Sequence, residues 1–501
     1  MKVFSHKASK LVVIMLALVL LFLAACGNND DPTNNANDAP TPVADNDTPT
    51  PPAPTPVANE DPTPDEEVIV TGIHEPKDMG GRTLTAAMWW DGGVAYSMAG
   101  PQYSEPDPAT STNYFIDRLI WENARRVERE FNVNFEGVAI PGAMEVIPVL
   151  TASVMAGDPM ADLVFMEPWM MLSAIQGDLI VPLDTINLPG SDLLGPQIYT
   201  SIRAEGLGHW WAFWTSALNA GGVAMGVNMD IINAIGAQNP VELHERGQWN
   251  WDAMLEIMRM ATRDTTGDGV NDQWGISGQP GEILRNFIGS NDGMLATDDL
   301  IYAFDHPNTM QALEFMETII REGLWYSDPS QDIDPGDWGR NFWAYELGVA
   351  VFFPTATWAL SDNRPTYEFA VVPFPTGPSN TTGATWLGGW RQGYTIAAGS
   401  DWAPADALML VEELFSWAGD EPELMNAGAL DSVRTAFLTE RDAQMQLDAS
   451  RTMRSDMGYN VPEYAWQLDR FIRAFFDNEM TAAQAVEVER GPLQEMLDAF
   501  R

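Results

Sequence analysis

The sequence predicts an α/β fold, and three observations lead to that prediction. Short apolar runs with β-branched residues alternate with longer stretches whose apolar residues recur at helical spacing. No segment repeats at a fixed period, which argues against a solenoid or a propeller. The chain of 501 residues is long enough for two domains of ordinary size. Strand, helix and strand in succession indicate parallel pairing, because a helix commonly connects parallel strands.

The first strands and helices are predicted between residues 84 and 165. Apolar residues fall on one helical face from Ile116 to Phe131, and a second helix ends at Gly157. The predicted strands are 84–90, 133–138 and 163–165, and the predicted helices are 116–131 and 145–156.

A second set of elements is predicted further along the chain. Asn250 is a predicted N-cap, because its side chain can accept a hydrogen bond from the first turn of a helix. The last hundred residues are expected to be mostly helical. The predicted strands are 222–227 and 349–353, and the predicted helices are 251–262, 308–321 and 405–418.

The N-terminus predicts export and lipid attachment. Three lysines precede an uncharged apolar stretch, 11–23, which is shorter than the roughly 20 residues of a membrane-spanning helix. The run Leu23-Ala24-Ala25-Cys26 resembles the lipobox of bacterial lipoprotein signals. That resemblance implies a signal peptide, 1–25, and a diacylglycerol thioether on Cys26, the only cysteine. The alternative is an ordinary secretory signal with an incidental cysteine.

Residues 26–67 are predicted to form a disordered tether. After Cys26 this segment holds ten prolines, six threonines and ten acidic residues, with no lysine, arginine or aromatic residue. Such a composition cannot bury enough apolar surface to offset the entropy of ordering the chain. Proline stiffens the segment, so it is expected to act as a solvated spacer.

The net charge of −45 restricts the partners of the protein. A strongly acidic surface repels nucleic acid and anionic lipid headgroups, so no nucleic-acid partner is expected. Arginine largely replaces lysine, which suits an alkaline or salty exterior, although plain solubility explains the acidity equally well. Phosphate-binding, zinc-protease and serine-hydrolase motifs are absent from the sequence. We therefore expect no enzymatic activity and no required cofactor.

Several stretches resemble the sugar-type extracellular solute-binding proteins of bacterial ABC importers. In chain order they are Asp162-Leu-Val-Phe165, Gly177-Asp-Leu-Ile-Val-Pro-Leu-Asp184, Trp249-Asn-Trp-Asp252, Asp264 to Gly275, Leu347-Gly-Val-Ala350 ahead of Trp358, Phe369 to Pro375, and Gly388-Gly-Trp390. The resemblance implies a two-lobed fold with several crossover strands and a ligand cleft between the lobes. It also implies a monomer that delivers a carbohydrate to ABC permease subunits. The implied lobes are 82–220 with 350–398, and 221–349 with 399–501.

The candidate ligand-binding residues combine aromatic rings with polar side chains at predicted strand ends. The flat C–H faces of a pyranose ring stack on indole, while the sugar hydroxyls need carboxylate, amide or guanidinium partners. Ligands collect at the carboxyl ends of strands in α/β sheets. The chain holds 19 tryptophans, and core packing is the alternative role for each one. The candidates are Trp90, Asp91, Glu167, Trp169, Trp214, Trp358, Trp390 and Arg391.

The loop from Asp264 to Asp272 resembles a calcium-binding turn. Oxygen donors recur at alternating positions, and Gly269 supplies the bend, but Gly275 stands where an EF-hand has its bidentate Glu. Gln273 also replaces the acidic residue of the shorter loops in some sugar-binding relatives. The candidate ligands of a structural Ca²⁺ are Asp264, Thr266, Asp268, the Val270 carbonyl and Asp272. An unmetallated polar turn is the alternative.

Two other functions fit the same sequence features. A tethered glycoside hydrolase would also need tryptophans and a pair of carboxylates. A sensor subunit would bind the same ligand but deliver it to a signalling receptor. The order and spacing of the motifs favour a solute receptor held on the outer face of the cell membrane.

Overall fold

The computed structural model describes residues 72–89, 105–107, 114–188, 223–326, 341, 343–388, 393–417, 427, 430, 433–434 and 436–501. Within them the predicted α/β architecture is confirmed. The strands are β1 (Arg82–Met88), β2 (Val133–Ala139), β3 (Leu163–Met166), β4 (Ala224–Asn228), β5 (Trp274–Ile276), β6 (Ala350–Thr355), β7 (Phe369–Val372), β8 (Trp386–Gly388), β9 (Gly393–Ile396) and β10 (Met453–Ser455). The helices are α1 (Tyr114–Phe131), α2 (Val146–Met155), α3 (Pro168–Gln176), α4 (Met229–Ile235), α5 (Pro240–Glu245), α6 (Trp251–Ala261), α7 (Pro280–Gly289), α8 (Pro307–Arg321), α9 (Thr357–Asp362), α10 (Pro404–Phe415), α11 (Glu440–Arg451), α12 (Leu468–Phe476) and α13 (Ala482–Asp498).

The first sheet has the strand order β2-β1-β3-β9. Strand β1 pairs in parallel with β2 and β3, whereas β9 runs antiparallel to β3. Helices α1 and α10 cover one face of this sheet, and α2 and α3 cover the other. Side chains alternate between the faces: Leu163 and Phe165 point into one cluster, and Val164 and Met166 into the other. We call this part the first lobe; it comprises the described residues within 72–188 and 393–417.

The second sheet has the strand order β5-β6-β4-β7. Strands β5 and β6 are parallel, and β4 runs antiparallel to both β6 and β7. Helices α6, α7 and α8 pack on one face, and α9 and α11 lie on the side of the other. A separate parallel pair, β8 with β10, packs against α7. We call this part the second lobe; it comprises the described residues within 223–388 and 436–501.

The boundaries expected for the lobes need correction in two places. Strands β6 and β7 were expected in the first lobe with 350–398, but they hydrogen-bond to β4 in the second sheet. Only β9 from that stretch joins the first sheet. Helix α10, expected in the second lobe with 399–501, packs against α1 in the first. Local periodicity cannot reveal these assignments, because either sheet can accept a short apolar strand.

Several element ends follow the chemistry of their residues. The Asn250 side chain accepts a hydrogen bond from the Ala253 amide at 3.0 Å, which confirms the predicted cap of α6. Gly157 has a φ of +75° just after α2, a conformation that glycine adopts without steric cost. Gly289 permits close packing of α7 on β8, since a Cβ there would lie 2.4 Å from the Leu387 nitrogen.

One apolar cluster extends across the boundary between the lobes. It joins Met170 and Met171 of α3 to Met457, Val461 and Tyr464 of the second lobe, all nearly inaccessible to solvent. Burial of apolar surface is worth roughly 25 cal/mol per Å². The contact therefore stabilises this arrangement of the two lobes, and it brings α3 against the 3-10 turn Met457–Asn460.

Candidate functional site

The candidate site begins at the carboxyl end of β3. The strand ends at Met166, Glu167 has extended backbone as the N-cap of α3, and Pro168 occupies the first helical turn. Proline suits that position because its fixed φ matches a helix and its missing N–H has no partner there. The local sequence thus turns the chain sharply and leaves the Glu167 side chain at the edge of the first sheet.

Glu167 is a partly buried carboxylic acid that lacks the usual bonds of a cap. Its side chain makes no cap hydrogen bond, and its carboxylate has no hydrogen-bond partner in the described part of the chain. Burial raises the pKa of Glu167 from 4.5 to about 7. The positive end of the helix dipole favours the ionised form, but the loss of solvating water outweighs it. A carboxyl group with a pKa near neutrality can either accept or donate a hydrogen bond.

An aromatic pair joins the two lobes beside Glu167. The Trp169 ring of α3 lies 5.5 Å from the Trp466 ring, centroid to centroid, with a tilt of 57°. Trp466 belongs to the 3-10 turn Ala465–Gln467 of the second lobe and is 47% exposed. Trp169 is partly buried against the continuous apolar cluster. One indole is therefore fixed by the core, while its partner presents an open surface at the boundary.

The neighbouring turn adds a cationic and a phenolic group. The Arg285 guanidinium of α7 lies over the Tyr459 ring, 4.6 Å from its centroid. Arg285 also pairs with Glu282 at 3.1 Å, and its buried Nε has no hydrogen-bond partner among the residues that the structure describes. Cation–π contact of this kind orients both groups. Because Tyr459 lies in the turn that packs against α3, these groups belong to the same region.

Asp456 fixes the turn that carries Tyr459. Its carboxylate accepts hydrogen bonds from the backbone amides of Leu295, Ala296 and Gly458, at 2.8, 3.3 and 2.8 Å. Burial raises the pKa of Asp456 to about 6, although these three amides lower it. The backbone N–H of Asp456 bonds in turn to the Gly388 carbonyl at the end of β8. One residue therefore ties the turn to two other segments of the second lobe.

Of the predicted ligand-binding residues, Glu167 and Trp169 lie at the lobe boundary. Trp358 lies in α9, but its side chain is outside what the structure describes. The remaining candidates, Trp90, Asp91, Trp214, Trp390 and Arg391, fall outside the described residues, as does Cys26. Their roles remain predictions.

The loop of the predicted calcium site is held by its own backbone. Both Asp264 oxygens accept amide hydrogen bonds, from Gly267 and Gly269 at 2.6 Å each. Both Asp272 oxygens accept amides of Thr265 and Thr266 at 3.0 Å. These bonds lower the pKa of both carboxyl groups. Among the described residues no group of three or more His, Cys, Asp or Glu side chains is arranged to hold a metal ion. Calcium binding by this loop stays a prediction.

Sequence reasoning missed Trp466, Tyr459 and Arg285. All three lie on helical segments, where an aromatic or basic residue ordinarily packs or faces solvent, and no motif marks them. Trp466 is one of 19 tryptophans, and only its exposure and its partner distinguish it.

Comparison with known proteins identifies the family of the chain. The family model described as bacterial extracellular solute-binding protein matches residues 109–423, more than half of the chain. The protein belongs to this family. The family resemblance noted in the sequence is confirmed, and so is the expectation of a binding protein that is not an enzyme. The Tyr459 and Trp466 turns lie beyond the matched residues.

Solved structures share the fold of this solute-binding protein at low sequence identity. A cyclic alpha-maltosyl-1,6-maltose binding protein from Arthrobacter globiformis has a TM-score of 0.57 and 13% identity, covering 83% of this chain and 99% of its own. The sugar-binding protein MalE from Xanthomonas citri has a TM-score of 0.55 and 14% identity, and the match covers 83% of this chain and 98% of the MalE chain. An ABC substrate-binding protein from Listeria monocytogenes, solved in complex with cycloalternan, has a TM-score of 0.54 and 13% identity. The match covers 83% of this chain and 99% of the Listeria chain.

These likenesses establish the fold of the solute-binding protein over most of its length. Among proteins with curated descriptions none matches the chain. Searching the residues that the structure describes finds no helix long and apolar enough to cross a membrane.

Proposed function

We propose that this solute-binding protein is a receptor for a carbohydrate, most simply an oligosaccharide, bound between its two lobes. The observation that carries the proposal is the pairing of Trp169 with the exposed Trp466 beside the partly buried carboxyl group of Glu167. Family membership supplies the receptor role, and these residues supply the class of ligand.

The chemistry of the three side chains suits a sugar. A pyranose ring has an apolar C–H face that packs on an indole, and its rim of hydroxyls needs hydrogen-bond partners. Glu167 can accept a hydroxyl hydrogen bond when ionised and donate one when protonated, since its pKa is about 7. Ligand sites of this kind combine aromatic walls with a few fixed polar groups.

The relatives support the same class of ligand by what their names state. The Arthrobacter protein binds cyclic alpha-maltosyl-1,6-maltose, and the Listeria protein was solved with cycloalternan. A cyclo/maltodextrin-binding protein was solved in complex with maltotetraose. All three ligands are oligosaccharides, and we extend that class, without the individual sugars, to this chain.

Delivery of the sugar to an ABC permease is the second part of the proposal. The chain has no GxxxxGK loop, so the ATPase would be a separate subunit. Loss of the gene should abolish uptake of the labelled sugar while other sugars enter normally. Unchanged uptake with lost induction of sugar-responsive genes would instead favour the sensor function.

Lipid attachment at Cys26 is the third part. The lipobox run, the single cysteine and the proline-rich acidic segment after it support an anchored receptor on a spacer. A Cys26→Ser variant should move from the membrane fraction to the medium with its sugar affinity intact. Retention of that variant in the membrane would contradict the anchor.

The deciding experiment is a calorimetric titration of the exported chain with a panel of linear and cyclic glucans, other oligosaccharides and monosaccharides. We expect saturable binding of at least one oligosaccharide without release of smaller products. If no sugar of the panel gives a heat of binding while circular dichroism shows a folded protein, the proposal of a carbohydrate ligand is wrong. Accumulating product would overturn the receptor role.

A further inference from the structure

The chain just before β1 lies along the flank of the first lobe. Met79 and Gly81 donate backbone hydrogen bonds to the Phe131 and Asn132 carbonyls at the end of α1. Lys77 forms an ion pair with Asp406 in the first turn of α10. Ile73 and His74 reach further along the same helix, to Glu412 and Glu413.

A buried carboxylate holds the backbone of this segment. One oxygen of Glu413 accepts hydrogen bonds from the backbone amides of Ile73 and His74, the first at 2.9 Å. The other oxygen accepts from the Arg126 guanidinium at 2.6 Å. The Glu413 side chain has no exposure to solvent, and Arg126 has 8%. Both carboxylate oxygens of Glu413 thus have hydrogen-bond donors only while residues 73 and 74 are in place.

A second carboxylate and an asparagine complete the arrangement. The His74 imidazole lies 2.6 Å from Glu412, whose side chain is 3% exposed. Asn123 of α1 donates to the Glu413 and Leu414 carbonyls and accepts from Arg126, so α1 and α10 are locked together at this point. A buried carboxylate that loses its hydrogen-bond donors incurs the full cost of its desolvation. Detachment of residues 72–74 is therefore unfavourable.

We propose that residues 72–77 form a strap that fixes the N-terminal segment of the chain to the first lobe. The strap makes its bonds to α10, and Met79 and Gly81 just after it bond to the end of α1, so every one of these contacts lies in the first lobe. Force on the N-terminal segment is therefore borne by that lobe. The second lobe is then able to move relative to the first without changing the attachment. This proposal does not depend on the identity of the ligand.

Lys77 offers a direct measure of strap detachment. It is the only lysine after residue 10, so a lysine-specific endoproteinase has one cleavage site in the exported chain. A protease needs an extended and accessible segment, and its rate tracks the detached population when reattachment is fast. Cleavage divides the chain after residue 77 and is read by gel electrophoresis.

The test compares two substitutions at one position. Ile73→Pro removes a backbone N–H that bonds to Glu413, whereas Ile73→Ala keeps the N–H and trims a side chain that is 50% exposed. We expect Ile73→Pro to raise the cleavage rate at Lys77 by about tenfold or more, and Ile73→Ala to leave it within about twofold of wild type. Rates are normalised to peptides of the same sequences, so effects on the protease itself cancel.

Two further measurements keep the test decisive. Glu413→Gln should also raise the rate. Ile73→Pro should bind sugar like wild type, because the strap contacts α10 on one face of the first sheet whereas α3, which Glu167 caps, packs on the other face. The proposal of a strap is wrong if the wild-type chain is cleaved at Lys77 as fast as the free peptide. It is also wrong if the proline and alanine variants are cleaved at equal rates. The readout is cleavage and not sugar binding. The proposal of a strap and the proposed function can therefore be contradicted independently of each other.

Discussion

Trp169 on the first lobe and Trp466 on the second meet at 5.5 Å with their rings tilted by 57°. Nearly 300 residues of chain separate them, and each is carried by a different kind of element, a helix and a 3-10 turn. Because 47% of Trp466 is exposed, the pair is both a contact between lobes and an available aromatic surface. The residue that connects the lobes thus also presents an indole surface to solvent at their boundary.

Trp466→Ala should weaken oligosaccharide binding by about tenfold or more, because a half-exposed indole at a binding surface contributes on the order of 1–2 kcal/mol or more. Isothermal titration calorimetry measures the effect. Leu438→Ala is the matched control, since Leu438 is 45% exposed in the turn before α11. Equal affinities for both variants and the wild type would contradict a ligand contact by Trp466.

Glu167→Gln should change how the stability of the protein depends on pH. The folded state raises the pKa of Glu167 from 4.5 to about 7, so folding binds this proton more tightly than the unfolded chain does. The resulting stabilisation is fully present below pH 4.5 and is lost as the pH rises through about 7. The free energy of unfolding of the wild type should therefore fall relative to that of the variant across this range.

Urea denaturation at a series of pH values measures the Glu167 effect. The difference between wild type and Glu167→Gln isolates one group from the many other carboxylates. A difference that is constant with pH would show that Glu167 titrates normally.

Trp90→Ala, Trp358→Ala and Trp390→Ala should each weaken sugar binding while leaving the fold intact, if these predicted residues line the cleft. The physical reason is the loss of an indole surface for the apolar sugar face. Far-ultraviolet circular dichroism checks the fold, and calorimetry checks the affinity. Normal binding by all three variants would refute the predicted set.

Calcium should raise the thermal midpoint of the protein if the Asp264 loop binds the ion, because a ligand that binds only the folded state stabilises it. A thermal melt with added calcium, and again with a chelator, measures the shift. Asp268→Asn should abolish the shift, whereas Asp298→Asn, an acidic residue outside the loop, should retain it. A thermal midpoint that changes with neither calcium nor chelator would indicate that the loop is an unmetallated polar turn.

The elements of the fold could largely be predicted from the sequence. Residues Ile116 to Phe131 form one helix, and Asn250 caps another, because helical spacing and capping depend on neighbours only a few residues away. Glu167 and Trp169 could be proposed as candidate ligand-binding residues for a similar reason, since they closely follow a predicted strand. Trp466 could not be found, because its exposure depends on packing against a helix far away in the chain.

By itself, the sequence determined the α/β character of the body, most element positions and the family resemblance, all of which are encoded locally or in ordered motifs. Only the tertiary structure decided that β6 and β7 join the second sheet while α10 joins the first lobe. Strand pairing is selected by hydrogen bonds and burial across long sequence separations, which no local pattern records. For the same reason, only the tertiary structure revealed the contact of Trp169 with Trp466 and the hydrogen bond from the Ile73 amide to Glu413.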